Sequence, residues 1–184
     1  APTLVVVGPS GGYCVQPFLF ERFERVVCLE PDPVARFVFG RRLAKAPLER
    51  RPKLEFVRED RLLARPEALA PWLDAEGSVA LLFTNFIGQL PVLLGVQDPS
   101  APELARVRDA VQGAIAARPW ASFHDRVSGT LRPEFAQPVV ANSRLSDDEV
   151  LETLYSESPG STSFERAELL DHLTESFFPA ELPH

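Results

Sequence analysis

The run Leu4-Val5-Val6-Val7, cut off by Gly8-Pro9-Ser10-Gly11-Gly12, constrains the fold of this chain more than any other stretch. Four consecutive apolar residues, three of them β-branched, leave no polar face for water. A strand formed there is buried on both sides, which is the habit of central parallel sheets with helices packed on each face. The glycines behind it allow positive backbone angles and a close approach of a ligand to the chain.

The same pattern recurs downstream. Val26-Val27-Cys28-Leu29 is a second buried-strand run, ended by Glu30. Asp32-Pro33 then supplies an N-cap and a proline at the first helical position. Val34, Phe37, Val38 and Phe39 are its apolar positions at helical spacing, so this helix is expected to run to about Lys45. Leu54–Val57, Val79–Thr84 and Trp120–His124 read as the third, fourth and fifth strands. Pro17–Phe23, Glu67–Leu73 and Pro102–Ala117 read as helical; the last carries Leu104, Val107, Val111, Ala114 and Ile115 on one side. The stretch Asn85 to Pro91 reads as the loop after strand four. Strand and helix alternate from residue 4 to residue 125, which predicts α/β architecture built from βαβ units, a parallel sheet with helices on both faces.

Past residue 130 the pattern is less regular. Ser146 with Glu149, and Thr162 with Glu165, make capping boxes. They predict a helical C-terminal part, 131–184, whose second helix buries Leu169, Leu170, Leu173 and Phe177. The whole of 1–184 is expected to form one domain, with its cofactor-binding core over 3–130 and a shortened C-terminal edge to the sheet.

Charge and composition remove several function classes. A formal net charge of −7 argues against gripping nucleic acid through its phosphates. No apolar run approaches the roughly 20 residues of a membrane span. The opening Ala-Pro-Thr-Leu has neither the basic nor the apolar region of a signal peptide. Cys14 and Cys28 make no metal-binding pattern, and Cys28 sits inside a strand run as a small hydrophobe. A cytoplasmic, reducing location is the expectation.

The chemistry collects at the strand ends. The loop Gly8 to Gly12 points free N–H groups, and the start of a helix, at whatever binds there. Ser10 stands where a G-x-G-x-x-G turn has its second glycine. Glu30, at the end of strand two, offers two carboxylate oxygens to a ribose diol. As a strand-end acid it is expected to be replaceable by Ala at a cost to binding and little cost to folding. Asp60 follows strand three and competes with Glu59 for contact with an adenine amine. Asn85 and Phe86 follow strand four, beside the switch in strand order; Asn85 and Gln89 are placed to orient a polar substrate, with Phe86 or Ile87 as a wall. His124 and Asp125 end strand five, and His124 is the natural base for a hydroxyl or amine nucleophile. Tyr13 is placed to cap a ligand in the glycine loop.

Together these features resemble class I S-adenosylmethionine-dependent methyltransferases over roughly residues 3 to 130, and the resemblance implies an α/β three-layer sandwich with a mostly parallel, Rossmann-like sheet of order 3-2-1-4-5. The resemblance implies that Gly8, Gly11 and Gly12 pass under the methionine part of the cofactor, with Ser10 and Tyr13 as further cofactor-binding candidates of the same loop. It further implies that Glu30 binds the ribose, Asp60 the adenine, and Asn85 with Phe86 the neighbourhood of the methyl group. Asn85, His124 and Asp125 become the catalytic candidates, S-adenosylhomocysteine the product, and a small molecule or a protein side chain the acceptor. The chain departs from the family at Val7, where an acid usually precedes the first glycine. No Asn-Pro-Pro-Tyr type tetrapeptide points to methylation of nucleobase or glutamine nitrogens. Two alternatives stand beside this reading: an NAD-binding oxidoreductase, in which Glu30 serves equally well, and a non-catalytic binding module on the same fold.

Overall fold

A computed structural model of the chain describes residues 2–59, 62, 65–73, 78–96, 98, 100–116, 118–123, 127–129 and 169–171. The chain divides into two compact units, Ala1–His124 and Asp125–His184.

The first unit is built on a five-stranded sheet, all parallel, in the order β3-β2-β1-β4-β5. Its strands are β1 (Thr3–Val7), β2 (Arg25–Leu29), β3 (Lys53–Val57), β4 (Val79–Thr84) and β5 (Trp120–Phe123). β1 is buried along its whole length, as a strand without a polar face must be. The helices that flank the sheet are α1 (Pro33–Lys45), the single turn α2 (Ala70–Leu73), α3 (Phe86–Leu94) and α4 (Pro102–Ile115). Two 3-10 turns, Pro17–Arg22 and Pro66–Leu69, complete the connections.

Side chains alternate across the pleat. Leu4, Val6, Val26, Cys28 and Leu82 meet Phe39 and Leu43 of α1, with Val15 and Phe20, in one apolar cluster. Phe20, Phe39 and Phe56 continue it as tilted and edge-on ring pairs with centroids 5.8 and 5.9 Å apart. The opposite pleat leaves Val5, Val7, Val27, Leu29, Leu81 and Phe83 equally buried. α4 is amphipathic as expected, hiding Leu104, Val107, Val111, Ala114 and Ile115. α1 starts on its Asp32 cap, whose Oδ1 accepts from the Val34 N–H at 2.8 Å. It ends under Arg51, which donates to the Leu43 and Ala46 carbonyls at 3.0 Å each. A cation there offsets the negative end of the helix dipole.

Three expectations change. Val34 and Phe37, apolar positions of α1, are exposed, and the helix buries Ala35, Phe39 and Leu43. The stretch after β4 is a nine-residue helix, α3, where the sequence suggested a loop. Pro91 lacks the N–H that an interior helical residue donates, but the helix ends only three residues later in a glycine stop. Gly95, at φ 67, donates to the Val92 carbonyl, and Val96 to that of Pro91 at 2.9 Å, a paired arrangement that satisfies the last carbonyls. In the second unit, Leu169–Asp171 is a strand, β7, and not part of the helix expected to bury Leu169 and Leu170. It pairs antiparallel with β6 (Val127–Gly129). A partner strand distant in the sequence outweighs the helical preference of two leucines, because local propensity is readily overridden by tertiary pairing.

Among the described residues no helix is long and apolar enough to cross a membrane.

Candidate functional site

The strand register builds the site. Val7 pairs with Leu29 on one side and with Phe83 on the other, so Gly8, Glu30 and Thr84 come level at the carboxyl ends of three adjacent strands. The ladder continues one step past the strands: Gly8 N–H donates to Leu29 O at 3.1 Å, and Glu30 N–H to Val57 O at 3.0 Å. Asn85 N–H likewise donates to Phe123 O, and the buried Thr84 hydroxyl donates to Val7 O at 3.1 Å. The chain crosses from one side of the sheet to the other between β1 and β4, the place where open α/β sheets leave a crevice.

A cavity of about 490 Å³ opens there, a size ordinary for a cofactor or small ligand. The loop after β1 contributes Gly8, Pro9, Ser10 and Cys14. The β2 end contributes Glu30 and Asp32, and the β3 end Glu59. The β4 end and α3 contribute Thr84, Asn85, Phe86, Gln89 and Leu93. Three carboxylates line the cavity; no lysine or arginine does among the described residues.

Glu30 is the keystone. Only 6% exposed, it sends its carboxylate back to the glycine turn. Oε2 accepts from the Ser10 N–H at 2.8 Å and Oε1 from the Asp32 N–H at 3.0 Å. One side chain thus ties the loop after β1 to the entry of α1. These bonds argue for a larger folding cost on removing Glu30 than the small one expected: hydrogen bonds to a charged acceptor stabilise by about 1.5–3 kcal/mol each, and the two backbone donors lie in partly buried surroundings. A carboxylate has about four lone-pair sites, so two remain for a ligand.

Backbone strain is concentrated at the same place. Ser10 (φ 49) and Asn85 (φ 55) are the non-glycine residues with positive φ among those described, and both line the cavity. Gly8 (φ 66) also needs its conformation, and a Cβ there would lie 3.4 Å from Cβ of Phe86 and 3.5 Å from the Thr84 carbonyl. At Gly12 (φ 72) a Cβ would run into the Phe39 ring. The glycine turn is therefore pressed against the core at one end and against the β4 turn at the other.

Of the residues predicted for the site, Gly8, Ser10, Glu30, Asn85 and Phe86 line the cavity. Gly11, Gly12 and Tyr13 do not. Gly12 accepts a hydrogen bond from Arg42 Nη1, and the Arg42 guanidinium lies 4.7 Å from the centre of the Tyr13 ring. Tyr13 is thereby held over α1, 73% exposed, and leaves the cleft beside Glu30 open. Asp60, His124 and Asp125 lie outside the described residues. Glu59, the competitor of Asp60, is buried and lines the cavity. Sequence reasoning did not assign Cys14, Thr84 or Leu93 to the site. Leu93 was detectable through Gly95, whose position as a helix stop marks the preceding residues as helical.

The two thiols differ. Cys14 is exposed at the cavity wall. Cys28 is buried in β2, and its pKa is pushed up to about 12, first by burial and then by the nearby Glu30 charge. Cys28 is neither nucleophile nor ligand at neutral pH. No group of three or more His, Cys, Asp or Glu is placed to hold a metal among the described residues. Compared with known proteins, the chain matches no family model and no curated sequence.

Proposed function

We propose that this chain binds S-adenosylmethionine in the cavity at the β1, β2 and β4 ends and transfers its methyl group to a small molecule or a protein side chain. The observation that carries the reading is the cavity's charge: Glu30, Asp32 and Glu59 line it, and no cation does among the described residues. S-Adenosylmethionine supplies an electrophilic methyl group on a positively charged sulfur and carries an ammonium group besides. Such a ligand gains from these carboxylates.

A dinucleotide is disfavoured on the same ground. A carboxylate and a phosphate about 5 Å apart repel by roughly 3 kcal/mol at an effective dielectric constant near 20. A pyrophosphate would meet that repulsion more than once here.

Each residue then has a task. Glu30 would accept the ribose hydroxyls on the lone pairs left by Ser10 and Asp32, and Glu59 would take the adenine amine. Gly8 keeps the chain low beside Phe86, so the ligand can lie close to the loop. Asn85 and Phe86 would orient the acceptor, since alignment of nucleophile, methyl carbon and sulfur supplies most of the rate in such a transfer. The two free cysteines fit a reducing, cytoplasmic setting.

Differential scanning with S-adenosylhomocysteine and with NAD tests the reading. At a hundredfold excess over its dissociation constant a ligand contributes about 2.7 kcal/mol, roughly 5–10 °C in melting temperature for a chain of this length. S-Adenosylhomocysteine is expected to give that rise and to slow alkylation of Cys14. Stabilisation by NAD alone would refute the proposal.

A further inference from the structure

The cavity is chemically two-sided, and the α3 side is unlike the carboxylate side. Phe86, Gln89 and Leu93 are spaced i, i+3 and i+7, so they form one stripe of α3, and all three line the cavity. The other side of the helix is spent on the core, where Ile87 and Leu90 are fully buried. Leu93 remains 55% exposed at the mouth, next to Val92, which is also exposed. A helix that buries apolar residues on one side and shows Phe and Leu on its outer side has a use for that second apolar surface. The stripe holds a single polar group, the Gln89 amide, which both donates and accepts a hydrogen bond but carries no charge.

We infer that the α3 stripe is the acceptor subsite, and that it takes an uncharged aromatic hydroxyl compound whose ring lies on Phe86 and Leu93 and whose hydroxyl meets Gln89. Charge selects this class. The stripe offers an anion no partner, and the carboxylates across the cavity repel it. A cation is drawn to those carboxylates and away from the stripe. A flat neutral ring with one hydroxyl group matches both the apolar surface and its one amide. The identity of the acceptor rests on the methyl-transfer reading, whereas binding at the stripe can be measured without it.

2-Naphthol is the probe, titrated calorimetrically into the full chain with and without saturating S-adenosylhomocysteine, beside 2-naphthoate and 2-naphthylmethylammonium. We expect 2-naphthol to bind at least tenfold more tightly than either charged analogue. Gln89→Leu keeps the side chain's bulk and is expected to weaken 2-naphthol binding roughly 2- to 12-fold, the size of one net hydrogen bond. Leu93→Asp, at a half-exposed position, is expected to weaken it by tenfold or more; far-ultraviolet circular dichroism and the melting temperature check that both variants fold. The inference is overturned if 2-naphthol does not bind, if either charged analogue binds as well, or if both folded variants bind 2-naphthol like the parent chain. Selective, Gln89-dependent binding of 2-naphthol in a protein that ignores S-adenosylhomocysteine would uphold the subsite and sink the cofactor reading. Binding of S-adenosylhomocysteine without 2-naphthol would do the reverse.

Discussion

The turn after β1 and the turn after β4 leave neighbouring strands at the same level of the sheet, yet they are built by opposite means. The first opens with the five residues Gly8 to Gly12, glycine at both ends, and its one left-handed side-chain-bearing residue, Ser10, is fastened by a carboxylate from the end of another strand. The second has no loop at all: Asn85 takes the left-handed conformation alone, and α3 begins at the next residue. A left-handed residue other than glycine costs about 1–2 kcal/mol, less for Asn. In each turn a bond from outside offsets that cost, Glu30 Oε2 on the Ser10 N–H and Phe123 O on the Asn85 N–H. The difference is in reach. The β1 turn depends on β2 and α1, so it is coupled to the core; the β4 turn depends on its own helix and the edge strand β5.

That contrast can be broken by substitution. Gly12→Val carries the largest expected effect, a loss of about 3 kcal/mol or more in urea unfolding, because the new side chain meets the Phe39 ring at a positive φ. A loss below 1 kcal/mol would mean that the β1 turn is not held by the core. Glu30→Gln comes next. The amide keeps one acceptor oxygen and sets an NH₂ group against a backbone donor, so about 1.5–3 kcal/mol of stability should go, together with ligand affinity. Loss of affinity without loss of stability would show that the two turns are equally independent.

A third measurement uses Cys28, two residues before Glu30. Its folded pKa lies above the ordinary 9.0, at about 12. Its contribution to stability is therefore complete below pH 9 and is lost between pH 9 and about 12, where the unfolded thiol ionises and the folded one stays protonated. The slope approaches 1.4 kcal/mol per pH unit. Cys28→Ala should flatten this alkaline limb, and Glu30→Gln should shift its upper end to lower pH, since the Glu30 charge is one of the two causes of the raised pKa. The smallest effects belong to Ser10→Gly and Asn85→Gly. Relief of the left-handed strain is offset by the greater freedom glycine gains in the unfolded chain, so both should fall within about 1 kcal/mol of the parent. A larger gain at Ser10 than at Asn85 would sharpen the comparison, because Asn tolerates this conformation better than Ser.

The β1 side of the cavity was legible in the amino-acid order because its signals are local. An apolar run, a glycine cluster and an acid at the end of the next run each announce themselves within a few residues. The α3 side was not, for two reasons. Pro91 and Gly88 argue against a helix when propensity alone is weighed, and an all-round apolar segment has no periodicity to count. Tyr13 was misleading in a different way. Its place in the sequence brings it to the loop, but an arginine 29 residues further along the chain, Arg42, decides which side of the loop it takes. The strand at Leu169–Asp171 was hidden because its partner, Val127–Gly129, is some forty residues distant.

The order of residues by itself determined the sheet and its level row of strand ends. Burial of β1 on both faces admits few alternatives, since a strand without a polar face needs a neighbour on each edge and helices on both faces, and β1 does lie between β2 and β4. Only the tertiary structure decided where the Glu30 carboxylate goes, that Glu59 joins it, and that α3 turns Phe86, Gln89 and Leu93 to the same space. Those facts depend on side-chain directions set by packing between segments far apart in the chain, and no local pattern records them.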